Sequence, residues 1–202
     1  MTREEEEIAF FYELGLAVSQ WSFIESGVYG VVAACIEAAD YYGVGVALFA
    51  LDSFRAKLAF SNALLEKKIT NKTHFKVWVS LEDRLRKASY KRNRLVHYRV
   101  YSYRHNNAGR RLALERFPPP EGHKLKPTGG DLCVRNITAI RYEFFQLFLA
   151  LENFEAILLG RPKPHPIVDA LPKNPPTIRT INNQIHAALG HQRAPSRQKS
   201  SN

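Results

Sequence analysis

Apolar residues recur at Ile8, Phe11, Leu14, Val18, Trp21, Ile24, Val28, Val31, Val32, Cys35 and Ile36. This spacing follows the 3.6-residue helical period and predicts a long first helix. Thr2 with Glu5 three residues later has the form of a capping box, and acidic residues crowd the first turn, so the helix is expected to open there. Gly15, Gly27 and Gly30 weaken it, and Tyr41-Tyr42-Gly43-Val44-Gly45 reads as its end. Asp52 or Ser53 can cap a second helix with Phe54, Leu58, Ala59, Leu64 and Leu65 facing inward. Asn71 or Thr73 can cap a third, whose stripe is Phe75, Val77, Trp78, Leu81, Leu85, Ala88 and Leu95. The other side of that helix is basic, with Arg84, Arg86, Lys87, Lys91, Arg92 and Arg94.

The helical period is lost from Tyr98 to Arg135. Tyr101, Tyr103, Leu112 and Leu114 flank the turn signal Asn106-Asn107-Ala108-Gly109, which predicts a β-hairpin followed by a loop from Pro118 to Gly130. A last helix is expected from about Asn136 to Leu159, with Ile140, Phe144, Leu147, Phe148, Leu151, Phe154, Ile157 and Leu158 inside. The pattern predicts an all-α fold, an antiparallel four-helix bundle with a small β-hairpin insert between helices 3 and 4. Residues 1–160 form the helical domain, with the insert at about 98–135. Residues 161–202, rich in Pro, Asn, Gln and Arg, read as a basic disordered tail in which Ile181 to Leu189 could form a short helix.

Charge sharpens this picture. The chain of 202 residues carries a formal net charge of +10, a balance that favours a polyanionic partner. From residue 161 onward seven Lys and Arg stand against Asp169 alone. Much of the remaining excess lies between Arg84 and Arg111. The opening Met1-Thr2-Arg3-Glu4-Glu5-Glu6-Glu7 lacks the basic and apolar regions of a signal peptide. Glu37 and Asp40 interrupt the longest apolar stretch, against a membrane span. Cys35 and Cys133 read as free thiols in a reducing compartment. The expectation is a cytoplasmic protein with no membrane association.

The informative stretch is Ser89-Tyr90-Lys91-Arg92-Asn93-Arg94-Leu95-Val96-His97-Tyr98. Asn93 and His97 are four apart on a helix and share a face. Arg92 precedes His97 by five residues, about 140° round the axis, an angle a long guanidinium can bridge where a helix ends. Arginine neutralises charge growing on phosphate oxygens, and histidine can move a proton near neutral pH. Together they suit phosphodiester cleavage. The bland reading of the same residues is a basic helix end that favours the helix dipole.

Arg92-Asn93-Arg94-Leu95-Val96-His97 resembles the Arg-polar-x-x-x-His motif of the HEPN (higher eukaryotes and prokaryotes nucleotide-binding) family. Trp21-Ser22-Phe23-Ile24-Glu25 on the first helix and Asp52-Ser53-Phe54-Arg55-Ala56-Lys57 opening the second are similar to features of some bacterial members. The resemblance covers roughly residues 4–160, excluding most of the insert. It implies a homodimeric, metal-independent endoribonuclease in which two motifs face one cleft. Arg92 would hold the scissile phosphate, His97 would transfer protons and Asn93 would orient the pair. The 2′-hydroxyl would attack the adjacent phosphate and leave a 2′,3′-cyclic phosphate. Such chemistry suits toxins and phage-defence effectors, with an antitoxin as a further partner. Some members are not nucleases and serve as RNA-binding, nucleotide-binding or scaffold modules.

Arg94 and Arg99 could bind flanking phosphates or be plain surface charges. Glu25 could pair with a motif arginine across the bundle or with another basic residue at the surface. Tyr98, Tyr101 and Arg104 continue a run of interleaved aromatics and cations that suits single-stranded RNA, against the alternative of an edge hairpin whose tyrosines pack on the bundle. The His and Cys residues form no metal-ligand spacing and no phosphate loop is present, so neither metal nor cofactor is expected. A third reading is a basic helical interaction protein unrelated to the family.

Overall fold

A computed structural model describes residues 3–37, 40–104, 110–115, 132–162 and 164. It contains helices α1 (Arg3–Cys35), α2 (Tyr41–Phe49), α3 (Phe54–Lys68), α4 (Lys72–His97) and α5 (Val134–Leu158), with the antiparallel strands β1 (Arg99–Arg104) and β2 (Arg110–Glu115) between α4 and α5. The described residues are mostly helical with one small antiparallel sheet. Among the described residues no helix is long and apolar enough to cross a membrane. Thr2, the loop 118–130 and the tail beyond Pro164 lie outside the described residues, as do the expectations placed on them.

Caps set the helix starts. The Ser53 hydroxyl accepts the Ala56 N–H at 3.1 Å, and Asn71 Oδ1 accepts the Thr73 and His74 N–H groups at 2.9 and 3.2 Å. Gly160 ends α5 with a positive φ of 63°. Its N–H donates to the Ile157 carbonyl while that of Arg161 reaches Ala156, the paired bonds that close a Schellman motif.

Contacts fix the helix directions. Along α1 and α5, Glu13 meets Arg141, Phe23 meets Phe148 and Gly27 meets Leu151, so partners advance together and the two helices run parallel. Trp78 stacks on Phe154 while Lys91 pairs with Glu143, so α4 runs against α5. α3 starts beside Trp21, through Phe54, and Lys57 reaches Glu25, so α3 follows α1. The sequence pattern expected α1 and the next long helix to be antiparallel; they are not. The return leg is α2, where a chain break was expected. Asp40 Oδ1 caps it by accepting the Gly43 N–H at 2.9 Å, the Tyr29 hydroxyl donates to the Tyr41 carbonyl at 2.6 Å, and Leu48 is buried. Tertiary packing here overrides the low helix propensity of two glycines.

The core joins Phe10, Trp21, Ile24 and Val28 of α1 to Leu58 and Leu65 of α3, Trp78, Leu85 and Leu95 of α4, and Phe144, Leu147, Leu151 and Phe154 of α5. Each large side chain so buried contributes about 1.5–3 kcal/mol. The first half of α1 is turned from its expected face. Ile8, Phe11 and Val18 are exposed, whereas Ala9, Phe10, Glu13 and Ala17 are buried. Glu13 explains the turn: its carboxylate accepts from Arg141 Nε at 2.8 Å and Nη2 at 3.3 Å. Burial disfavours the Arg141 charge, but the Glu13 carboxylate outweighs it and holds the guanidinium above its ordinary value. On β2, Ala113 and Leu114 are buried, and Leu114 joins the core.

Candidate functional site

The buried stripe of α4 is Trp78, Leu81, Leu85, Ala88 and Leu95. Its spacing alternates between three and four residues and leaves one inward position, residue 92, filled by arginine. Arg92 is half-buried there and opens onto a cleft of about 380 Å³ shared with Val18, Trp21, Ser22, Glu25 and Phe49. Its Nη1 donates to Asn93 Oδ1 at 3.2 Å. Among the described residues no carboxylate pairs with it.

Glu25 lines the same cleft but is engaged elsewhere. One carboxylate oxygen accepts the Trp21 indole N–H at 2.8 Å and the other accepts the Lys57 ammonium at 2.6 Å. The Lys57 ammonium also lies 4.6 Å from the centroid of the Phe49 ring. Trp21 and Glu25 of α1, Lys57 of α3 and Arg92 of α4 therefore meet at one place, although they are far apart in sequence. The partner of Glu25 is neither a motif arginine nor a surface cation, because the Lys57 side chain is only 12% exposed.

His97 is the last residue of α4 and is exposed. The helix continues unbroken to it, so Arg92 and His97 stay about 140° apart. His97 does not line the cleft that Arg92 lines, and no hydrogen bond joins the two. Asn93 is exposed on the side of His97 while its amide oxygen holds Arg92. The structure thus brings Arg92 and Asn93 together and leaves His97 apart.

The expected RNA-contacting residues divide. Arg94 is half-buried, with its guanidinium 5.4 Å from the centroid of the Tyr98 ring. Tyr98, the C-cap residue of α4, packs against the core, and Tyr101 of β1 is half-buried. Arg99 is exposed. The backbone of Arg104 belongs to β1, and its side chain lies outside the described residues.

A second groove, of about 550 Å³, runs between α4 and α5 past Arg84, Lys87, Tyr90 and Lys91. Its cations are largely neutralised in place: Lys87 and Arg86 reach Asp83 at 2.6 and 3.2 Å, and Lys91 pairs with Glu143. Arg86 and Lys87 hold Asp83 below its ordinary carboxylate range, Lys87 most strongly. Much of the basic face of α4 is therefore a laced, solvated surface. Among the described residues no group of three or more His, Cys, Asp or Glu is placed to hold a metal ion.

Sequence reading missed Val18 and Phe49 as cleft residues. The faint signal for Phe49 was Asp40 three residues before Gly43, a capping position for the unexpected α2. Comparisons with protein-family models, curated proteins and solved structures returned no match to this chain.

Proposed function

We propose that this protein is a HEPN-like, metal-independent endoribonuclease acting as a homodimer, with Arg92, Asn93 and His97 as its catalytic motif. The observation that carries this reading is Arg92: a half-buried arginine at an inward helix position, braced by Asn93, with no carboxylate partner among the described residues. A buried or half-buried cation in that state gains most from an anionic ligand. A guanidinium that gives one N–H to Asn93 keeps others for a phosphate.

In this mechanism Arg92 binds the scissile phosphate and offsets the charge that develops on its oxygens. His97 takes the proton of the ribose 2′-hydroxyl or returns one to the 5′-oxygen that leaves. The 2′-oxygen attacks phosphorus, the P–O5′ bond breaks, and the products are a 2′,3′-cyclic phosphate and a 5′-hydroxyl. The angular separation of Arg92 and His97 favours a dimeric site, because two facing copies of α4 can offer an arginine from one protomer and a histidine from the other. Exposed Ile8, Phe11, Tyr12 and Phe23 on α1 give such a dimer apolar surface to bury. Such an enzyme would serve as a toxin or phage-defence effector in the cytoplasm, restrained by an antitoxin.

A second reading has one observation in its favour. His97 lies outside the Arg92 cleft, which suits a module that binds RNA or a nucleotide without cutting it. End analysis of RNA incubated with the purified protein separates the two. The nuclease yields 2′,3′-cyclic phosphate ends, is indifferent to chelator, and leaves intact an oligonucleotide carrying 2′-deoxyribose throughout. An RNA bound but uncut in every condition supports the silent module.

A further inference from the structure

We infer that the cleft beside Arg92 is a base-recognition pocket: it receives one unpaired base next to the phosphate held by Arg92, and it prefers guanine to uracil through Glu25. This inference rests on the proposed role of Arg92 and adds what the site reads.

The walls suit a base. Phe49 is 51% exposed and presents an aromatic surface at the mouth, while Trp21, 3% exposed, forms the floor. Stacking on the exposed Phe49 ring is indifferent to base identity. The volume of about 380 Å³ admits a purine with room to spare.

Selectivity comes from Glu25. An ionised carboxylate has about four lone-pair sites and donates nothing. Trp21 Nε1 and Lys57 Nζ use one on each oxygen, and they also fix the carboxylate in place. The remaining sites accept hydrogen bonds only. Guanine offers two adjacent donors, N1–H and the 2-amino group, which match a carboxylate in a paired fashion. Uracil offers one N–H flanked by two carbonyl oxygens, which a carboxylate repels. Ser22, exposed at the rim, donates its hydroxyl to the Ser19 carbonyl at 2.7 Å and so presents only an acceptor to the cleft. A preformed acceptor beside an unneutralised guanidinium thus fits a donor-rich base carrying a phosphate. Discrimination by a good paired contact of this kind is about tenfold or more.

The test uses the full chain and titrates GMP, UMP and inorganic phosphate by calorimetry, with tryptophan emission as a locator because Trp21 alone of the two tryptophans lines the cleft. GMP is expected to bind about tenfold more tightly than UMP, and phosphate alone more weakly than either. Glu25→Gln should bring GMP down to the level of UMP. Phe49→Leu should weaken both nucleotides while keeping their ratio, which protects the test should Glu25→Gln fail to fold. Equal binding of GMP and UMP, no nucleotide binding, or a preference that survives Glu25→Gln would each overturn the inference. The outcomes separate it from the nuclease reading. Guanine-selective binding without RNA cleavage sinks the nuclease and keeps the pocket; cleavage that needs Arg92 and His97 but ignores base identity does the reverse.

Discussion

Glu25 accepts the Lys57 ammonium at 2.6 Å across α1 and α3 and makes no ion pair with Arg92, although both line one cleft. On the proposed reading, Lys57 guards the charge of the site. With Lys57→Met, Glu25 loses its cation and draws on Arg92, and RNA cleavage should fall about tenfold or more, the worth of one charge-assisted hydrogen bond. Adding Glu25→Gln should restore cleavage of a guanine-free RNA. A Lys57→Met protein as active as wild type would show that Lys57 plays no such part.

The ion pair between Glu13 and Arg141 is structural. The Glu13 side chain is 1% exposed and that of Arg141 20%. Glu13→Ala strands the guanidinium and should cost about 3 kcal/mol in urea unfolding, the low end of the range for breaking a buried pair, because Arg141 keeps some solvent. The double replacement Glu13→Leu with Arg141→Met should lie within about 1 kcal/mol of wild type. If the single and double variants lose the same stability, the pair is not what turns α1.

Two glycines of α1 should respond in opposite ways. A Cβ on Gly27 would lie 3.0 Å from Cβ and Cδ1 of Leu151, where α1 and α5 touch. Gly27→Ala should destabilise by about 1–3 kcal/mol through overpacking. Gly15 has nothing within 4 Å of such an atom, so Gly15→Ala should stabilise by up to about 1 kcal/mol through helix propensity. Thermal melts of the two variants measure this directly; changes of the same sign would show the close α1–α5 contact to be slack.

Glu155 gives the fold a pH dependence. Burial first, and then repulsion from Glu152, raise its carboxyl above the ordinary value of 4.5, with Arg161 working against them. The folded value exceeds the unfolded one, so Glu155 adds stability below the unfolded value and loses it as pH rises through the folded one. At neutral pH its charge weakens the fold. Glu155→Gln should raise the melting temperature at pH 7, and the difference should close as pH falls below 4.5. A gain that persists at low pH would trace to packing against Gly30 instead.

Much of the fold was legible because its signals are local. Ser53 and Asn71 cap where their hydrogen-bonding side chains indicated, and the hydrophobic stripe of α4 needs no tertiary information. What was illegible depends on distant partners. The first half of α1 is apolar on several sides, so periodicity alone could not show that Glu13 faces inward; that follows from Arg141, 128 positions away. α2 hides behind two glycines and is held by Tyr29. For the candidate site, the motif singles out Arg92 and Asn93, and their side chains touch. The partnership of Glu25 with Lys57 was undetermined, because either arginine or lysine satisfies a carboxylate and only the helix directions choose. The separation of Arg92 from His97 depended on whether α4 ended early, and it runs to His97.

The proposed catalytic roles of Arg92 and His97 are tested by the single-turnover rate of RNA cleavage by wild type, His97→Ala and Arg92→Ala, measured beside their melting curves. Loss of a proton-transfer group costs about 10²–10⁴-fold in rate, whereas truncating an exposed side chain changes stability by less than about 0.5 kcal/mol. A fall of that size is expected for His97→Ala with its melting curve unmoved, and a comparable fall for Arg92→Ala together with weaker RNA binding. Cleavage at the wild-type rate by both folded variants would contradict those roles.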